Sequence, residues 1–294
     1  ALDDIVSYMP IQRQTLLFSA TYPAKIEQTA QRIMQFPVTV EVHESHSRQS
    51  IVQTLYQVEN NQARIEAIRL LLQAHQPETT LIFCNTKIET DRVANDLRAV
   101  GYEALALHGD LEQKQRDQTL VRFANRSASV LVATDVAARG LDIEALDLVV
   151  NHQIAHELEV HTHRIGRTGR AGAQGIACSL YTHKENHKID LLEDYLGEKL
   201  ERGDLPPISL FREPAIFPPM VTIQIGGGKK QKLRPGDIVG ALTGVDGIPG
   251  TEIGRIQIGD QWAYVAVAHA HGKTAFKKLS EGKLKGRSFR VNRL

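Results

Sequence analysis

Eight consecutive residues, His163-Arg164-Ile165-Gly166-Arg167-Thr168-Gly169-Arg170, carry a histidine and three arginines. Arg167 and Arg170 stand three apart with a glycine between them. A guanidinium is a planar fork of donors that fits phosphoryl oxygens two at a time, so the spacing predicts a phosphate clamp on a short turn and helix. A solvated basic face paired with Glu157 and Glu159 is the competing reading. Upstream, Thr134-Asp135 leads through Arg139-Gly140-Leu141 to Asp142 after an apolar run, either a polar ligand loop or a capped turn from strand to helix. His108-Gly109 is followed by Gln113, Lys114, Gln115 and Arg116, and Ser19-Ala20-Thr21 follows the apolar run 15–18. Ser-x-Thr also ends many strands, so that triplet alone decides nothing.

The segments around these clusters alternate. Apolar runs at 80–84, 104–107, 130–133, 148–150 and 176–181 predict buried strands, and the stretches 87–100 and 111–124 have helical periodicity. Asn85-Thr86 offers a cap for the first helix and Gly101 ends it. Strands alternating with helices of this length predict an α/β fold, a doubly wound parallel sheet covered on both faces. Such sheets bind ligands at the loops leaving the carboxyl ends of their strands. The polar clusters fall there.

The 294 residues are 42% hydrophobic and 23% charged, enough for two cored domains and too apolar for a disordered chain. No apolar run reaches the roughly 18 residues of a membrane span. Ala1-Leu2-Asp3-Asp4 has no signal-peptide character, and Cys84 and Cys178 cannot build a disulfide framework. A cytoplasmic, reduced protein is expected, with Cys84 a small core residue. The net charge of +1 is unevenly spread: residues 219–294 hold 13 Lys and Arg against 5 Asp and Glu, leaving 22 against 29 for 1–218. A basic module on an acidic one predicts contact with a polyanion. Prolines at 206, 207, 218 and 219 mark the boundary. Beyond it, strand patterns at 221–225, 254–258, 262–267 and 288–292, with helices at 235–242 and 273–279, give the order β-α-β-β-α-β. That is the small α+β ferredoxin-like plan of RRM-type modules.

Over residues 13–185 the clusters resemble, in order and spacing, motifs III, IV, IVa, V and VI of the DEAD-box family of ATP-dependent RNA helicases. The resemblance implies two RecA-like domains closing around ATP and RNA. It makes residues 1–44 the end of the first, 45–204 the second, 205–218 a linker and 219–294 an RNA-binding domain. Arg167 and Arg170 then match the arginine fingers on the γ-phosphate, and Asp142 a carboxylate near the ribose. Thr134, Gln113 and Arg116 match RNA contacts, with Arg139 in the motif V loop. His163 and Arg164 match residues linking the two sites, and Ser19 and Thr21 the motif coupling hydrolysis to strand separation. The implied cofactor is ATP with Mg2+, bound mainly by the first domain. The chain has neither G-x-x-x-x-G-K-[ST] nor Asp-Glu-Ala-Asp. His271-Gly272-Lys273-Thr274 is a decoy, because Val267 stands where the first glycine belongs. Most of the first domain is therefore expected upstream of Ala1 in the intact protein, and this chain alone is not expected to hydrolyse ATP.

Gly226-Gly227-Gly228 precedes Lys229, Lys230, Lys232 and Arg234. Glycines permit close backbone approach to a phosphate, and cations add salt-dependent affinity. This stretch and the rest of 219–294 resemble the DbpA-type RNA-binding domain of bacterial DEAD-box proteins of large-subunit ribosome assembly. The implied partners are a 23S rRNA hairpin of the peptidyl-transferase region and pre-50S particles, for a monomer with no membrane partner. Trp262 and Tyr264 share a strand face, where they stack bases or merely cover the sheet. Thr222, Asp260, Gln261 and Val267 depart from the RRM pattern. The expected RNA contacts are thus the loop cations and the basic end, Lys283, Lys285, Arg287, Arg290 and Arg293. His152, His156, His161 and His163 crowd together, and His183 and His187 stand four apart, but zinc needs a closed ligand set and no metal is expected. Two alternatives stay open: a general RNA-remodelling helicase of cold adaptation or RNA decay, and a non-catalytic RNA-binding fragment.

Overall fold

A computed structural model describes residues 2–19, 24–40, 51–139, 146–169 and 174–294. The chain forms two units, 1–46 and 47–294. In the first, helices α1 (Leu2–Ser7) and α2 (Ala24–Ile33) are joined by an Asp3–Arg32 pair at 3.1 Å. Arg13 donates to the carbonyl oxygens of Pro10 and Ile33. Phe18 and Phe36 are almost wholly exposed, whereas Ala30 of α2 is buried.

The second unit begins with strand β1 (Ile51–Val58), helix α3 (Asn61–His75), β2 (Thr80–Cys84), α4 (Lys87–Ala99) and β3 (Ala104–Leu107). Then come α5 (Gln113–Ala124), β4 (Val130–Thr134), α6 (Asp135–Ala138), β5 (Leu148–Asn151) and α7 (Leu158–Ile165). β6 (Gly175–Thr182), α8 (Asn186–Leu196) and β7 (Glu201–Gly203) complete this part. The strands lie in the order β3-β4-β2-β5-β6-β1-β7, with every pairing parallel. This is the expected doubly wound sheet. Alternate residues go to opposite faces: Ile82, Val130, Val132 and Val150 meet α3 and α4, whereas Leu81, Phe83, Leu131 and Val149 meet α5 and α6. Helix starts are fixed by side-chain caps, Asn60 accepting from the amides of Gln62 and Ala63 and Thr86 from that of Glu89. Gly101, with φ +96°, follows α4 in the place expected for it.

Strands β1 and β7 and helices α3 and α8 are additions to the sequence reading. Gln53, Thr54 and Gln57 interrupt the apolar signal of β1, and Glu-Arg-Gly in β7 carries none. What forms β7 is Glu193, buried at the end of α8. Its carboxylate takes the Leu200 amide at 3.2 Å, Arg202 at 2.8 Å and Lys199 at 2.6 Å. Gly203 is required there, since a Cβ would lie 2.7 Å from the Thr54 methyl.

Residues 205–218 run along α3. Gln73 donates to the Pro214 carbonyl at 2.9 Å, Arg69 lies 4.5 Å over the Phe211 ring, and Leu205 and Ala215 pack on the sheet core. Beyond them, β8 (Met220–Ile225), α9 (Pro235–Thr243), β9 (Ile253–Ile258), β10 (Ala263–Ala268), α10 (Gly272–Glu281) and β11 (Val291–Arg293) follow the expected order. They make an antiparallel sheet, β11-β8-β10-β9. Val221, Ile223, Ile225, Ala263, Val265 and Val267 face Ile238 and Leu242 of α9 and Ala275 and Leu279 of α10. β11 is shorter than the expected 288–292. The preceding chain is spent on a tight turn, Leu284 to Arg287, whose central Lys285 and Gly286 have φ of +51° and +75°. Gly272, the decoy glycine, lets α10 approach β8: a Cβ there would stand 2.7 Å from Val221. No helix among the described residues is long and apolar enough to cross a membrane.

Two fully buried histidines set a pH dependence. Burial, reinforced by Arg64 and Arg92, lowers His152 from 6.5 to about 3, and burial with Arg164 nearby lowers His161 to about 4. Below pH 6.5 the unfolded chain takes up protons that the folded one refuses, so stability falls as pH drops. Between pH 7.5 and pH 5 each histidine should cost about 2 kcal/mol. Urea unfolding at the two pH values checks this, and an unchanged midpoint would exclude it.

Candidate phosphate and nucleic-acid site

Strand β4 ends at the half-buried Thr134, and Asp135 opens α6. The Asp135 carboxylate takes both arms of Arg164, Nε at 2.6 Å and Nη2 at 2.8 Å. Arg164, on α7, is 1% exposed. Its other donors reach the Gln153 carbonyl at 2.8 Å, Asn85 Oδ1 at 2.7 Å and Asn151 Oδ1 at 3.3 Å, and its guanidinium lies 5.2 Å from the Phe83 ring centre. One buried charge thus ties the ends of β2, β4 and β5 to α7. The fork is spent inside the protein, which corrects the expectation of Arg164 among the cations facing a phosphate.

The neighbours of Arg164 are placed differently. His163 is exposed, and Arg167 stands half-buried past the end of α7, its carbonyl accepting from the Leu146 amide at 3.2 Å. Arg139 is exposed at the end of α6, its amide bonded to the Asp135 carbonyl. Asp142, Arg170 and Thr21 lie outside the described residues, and Ser19 is an exposed residue of the first unit. Cys84 and Cys178 are buried core thiols, each pushed by burial to about 12, and so are not nucleophiles.

At the next strand end, His108 is buried against Asp91 at 3.0 Å, and its Nδ1 accepts from the Asp110 amide. Lys87 pairs with Asp110. This loop leads into α5, whose exposed Gln113 donates to Asp117 at 2.7 Å and whose Arg116 donates to the His108 carbonyl at 3.4 Å.

Helix α5 and the turn after it also meet the second sheet. Thr222 Oγ1 lies 2.6 Å from Ser127 Oγ and accepts from Asn125 Nδ2 at 3.1 Å, and the Met220 amide donates to the Arg126 carbonyl. Lys114 sits 5.7 Å over the Trp262 ring. Tyr264 is 4% exposed, and burial, with Asp117 adding to it, pushes its phenol up. The sheet face of Thr222, Gln224 and Tyr264 is covered. Of the two readings of Trp262 and Tyr264, this arrangement leaves Tyr264 no room to stack a base.

The basic residues lie elsewhere on the module. Lys229, Lys230, Lys232 and Arg234 are exposed, as are Lys283, Lys285, Arg287, Arg290 and Arg293. The Lys285 ammonium donates to the Lys232 carbonyl at 2.7 Å and meets Asp237 at 3.4 Å, which brings the two runs side by side. Of the glycines before them, Gly226 is exposed, whereas the other two are held by packing. Gly227 and Gly228 are buried, and a Cβ would collide with the Phe289 ring at one and the Gly259 carbonyl at the other. Sequence reasoning missed the roles of Asn85, Asn151 and Gln153. Their only signal was position at strand ends, since the charge they serve is at least 11 residues away.

A doubly wound sheet whose strand-end loops are closed by a buried arginine, followed by a ferredoxin-like module with a basic rim, defines a RecA-like helicase domain with an RNA-binding appendage. Residues 63–172 match the helicase conserved C-terminal domain and residues 222–293 the DbpA RNA binding domain. The chain belongs to the DEAD-box helicase family. Over its whole length it is 46% identical to the ATP-dependent RNA helicase DbpA of Escherichia coli (strain K12), covering 64% of that protein. With 99% of its length it is 31% identical to the ATP-dependent RNA helicase DbpA of Bacillus subtilis (strain 168), covering 65% of it. The chain therefore spans slightly less than two thirds of each relative. A solved structure of S. cerevisiae Dbp5 bound to RNA and ADP BeF3 is similar at a TM-score of 0.61 and 29% identity, over 69% of this chain and 55% of that one.

Trp262 is the single tryptophan and reports on the covered face. Thr222→Arg puts an unpaired charge into that contact, a cost of about 3 kcal/mol, while Val221 and Ile223 keep the module's own core. The Trp262 emission should shift to the red as Lys114 and α5 withdraw. An unshifted spectrum in a folded variant would mean that the sheet face is not docked on α5.

Proposed function

We propose that this chain is the second RecA-like domain and RNA-binding tail of an ATP-dependent RNA helicase, with residues 1–44 the end of the first RecA-like domain. The observation that carries the reading is the Arg164–Asp135 pair. It connects the end of β4 and the short helix after it, with Thr134 and Arg139, to the helix whose end bears His163 and, just beyond, Arg167. A phosphate held at one of these segments is thereby felt at the other.

In this reading Arg167 and Arg170 face the γ-phosphoryl group and Asp142 the ribose. Thr134, Arg139, Gln113 and Arg116 hold RNA phosphates. His163 links the two sites, and Ser19 with Thr21 couples hydrolysis to strand separation. The residues present fit one side of a nucleotide site. Arg167 stands at the strand-end rim with its side chain half-buried, but the sequence has no glycine-lysine cradle for phosphates and no Asp-Glu-Ala-Asp for Mg2+. Those come from the part of the protein upstream. ATP bound there supplies a phosphoryl group whose charge in transfer a guanidinium stabilises. In the intact protein Arg167→Ala should lower RNA-stimulated turnover by about three orders of magnitude, measured as phosphate release. Unchanged turnover would remove Arg167 from the site.

The RNA is a structured hairpin read by the basic rim rather than by the sheet face, and we assign it to 23S rRNA in the peptidyl-transferase region, on pre-50S particles in the cytoplasm, with the protein acting as a monomer. Support comes from the nine exposed cations of the two runs, the covered sheet and the tail's likeness to the DbpA RNA binding domain. Competition between that hairpin and a scrambled one, at two salt concentrations, tests it. Combining Lys229→Gln, Lys230→Gln, Lys285→Gln and Arg287→Gln should abolish the preference. It should also flatten the salt dependence by roughly 0.7 for each single-strand phosphate that is no longer neutralised. Equal affinities in the unaltered chain would favour a general RNA-remodelling helicase.

A further inference from the structure

Arg64 and Arg164 head the fully buried side chains by size. Arg164 belongs to the site described above, whereas Arg64, on the first turn of α3, lies outside every motif. Its Nη1 donates to the carbonyls of His152 and of Leu180, the latter at 2.7 Å. Nη2 pairs with Glu185, and Nε donates to Asn61 at 3.1 Å. Glu185 is itself fixed, accepting from the amide of Thr182 at 2.9 Å and its hydroxyl at 3.0 Å. The next carbonyl along the chain, that of Gln153, is the one Arg164 holds. Two buried guanidiniums therefore grip consecutive carbonyls of the segment joining β5 to α7. The His152 amide, donating to the Phe83 carbonyl at 3.0 Å, anchors the same segment to the end of β2.

A buried ion pair is a poor source of stability, since apolar side chains of similar volume often do as well. What the Arg64–Glu185 pair supplies is direction: a fixed fork spanning two carbonyls and a carboxylate. We propose that Arg64, seated on Glu185, is a positioning residue that sets the His152–Gln153 segment so that Arg164 closes on Asp135, and so fixes α7 and Arg167 beyond it. The inference rests on the helicase reading given above.

The test uses the intact protein, upstream domain included, with Arg64→Lys, Glu185→Gln and, as control, Arg167→Ala. Turnover at saturating ATP and RNA, KM for ATP and the unfolding temperature are read for each. A lysine keeps the charge beside Glu185 but not the fork. Arg64→Lys should lower kcat about tenfold, or about 1.4 kcal/mol, with KM for ATP and the melting temperature nearly unchanged, because charges aligned for the transition state act on kcat. Glu185→Gln should lower kcat alike with KM for ATP unchanged. It also lowers the melting temperature, because the buried Arg64 charge loses its carboxylate, so its turnover is read where the variant is fully folded. It decides the matter if the lysine variant fails to fold. Unchanged kcat in a folded variant overturns the proposal, as does a loss that disappears on cooling to where the variant is fully folded. If Arg167→Ala also leaves turnover intact, the helicase reading falls and the positioning role with it. If only Arg167→Ala is inactive, the helicase reading stands and the role of Arg64 does not.

Discussion

A guanidinium withdrawn from water must find partners for five N–H donors or the fold bears the cost. Arg164 meets that requirement with a bidentate carboxylate, two asparagine oxygens and a backbone carbonyl, all within hydrogen-bonding range. Those partners come from the ends of β2 and β4 and from the segment after β5, so one charge sets where three strand-end loops stand. Thr134, Arg139 and Arg167, proposed above to face phosphates, stand on the segments it joins. The pair with Asp135 also explains why α6 begins where it does. The carboxylate lies in the first turn of the helix, where negative charge is favoured, and its position is fixed from outside that helix.

Helix α5 serves two neighbours: Arg116 reaches back to the His108 carbonyl at the strand end, while Lys114 and Gln118 lie toward the second sheet. The contact is polar, hydroxyl to hydroxyl at Thr222 and Ser127 and amide to hydroxyl at Asn125. A sheet face used this way has no need of stacking aromatics, which accounts for threonine where an RRM carries one. The exposed cations lie away from this contact, and RNA bound at that rim, as proposed above, would be held at a fixed position relative to α5.

The strands at 80–84 and 130–133 were legible because burial on both faces leaves a continuous apolar run. β7 was not, because Glu201-Arg202-Gly203 is recruited by the buried carboxylate of Glu193 and by a neighbour at β1. Proline spacing marked 205–218 as a break between modules, yet the same residues are strapped to α3 by Gln73 and Arg69. The glycines of 226–228 were legible as necessary, but the Phe289 ring and the Gly259 carbonyl that make them so are 31 to 62 residues distant.

By itself the sequence determined five consecutive strands of the parallel sheet, the element order of the second module, the segregation of charge into the last 76 residues and the motif residues that identify the family. These are local properties, carried by periods of 2 and 3.6 residues and by short spacings. Only the tertiary structure decided which arginine is spent internally and which sheet face is covered. Burial of a charge is settled by partners from elsewhere in the chain. Asp135 is 29 residues from Arg164, and Glu185 is 121 from Arg64. No pattern in a short window distinguishes a guanidinium that meets a carboxylate across the fold from one that meets solvent.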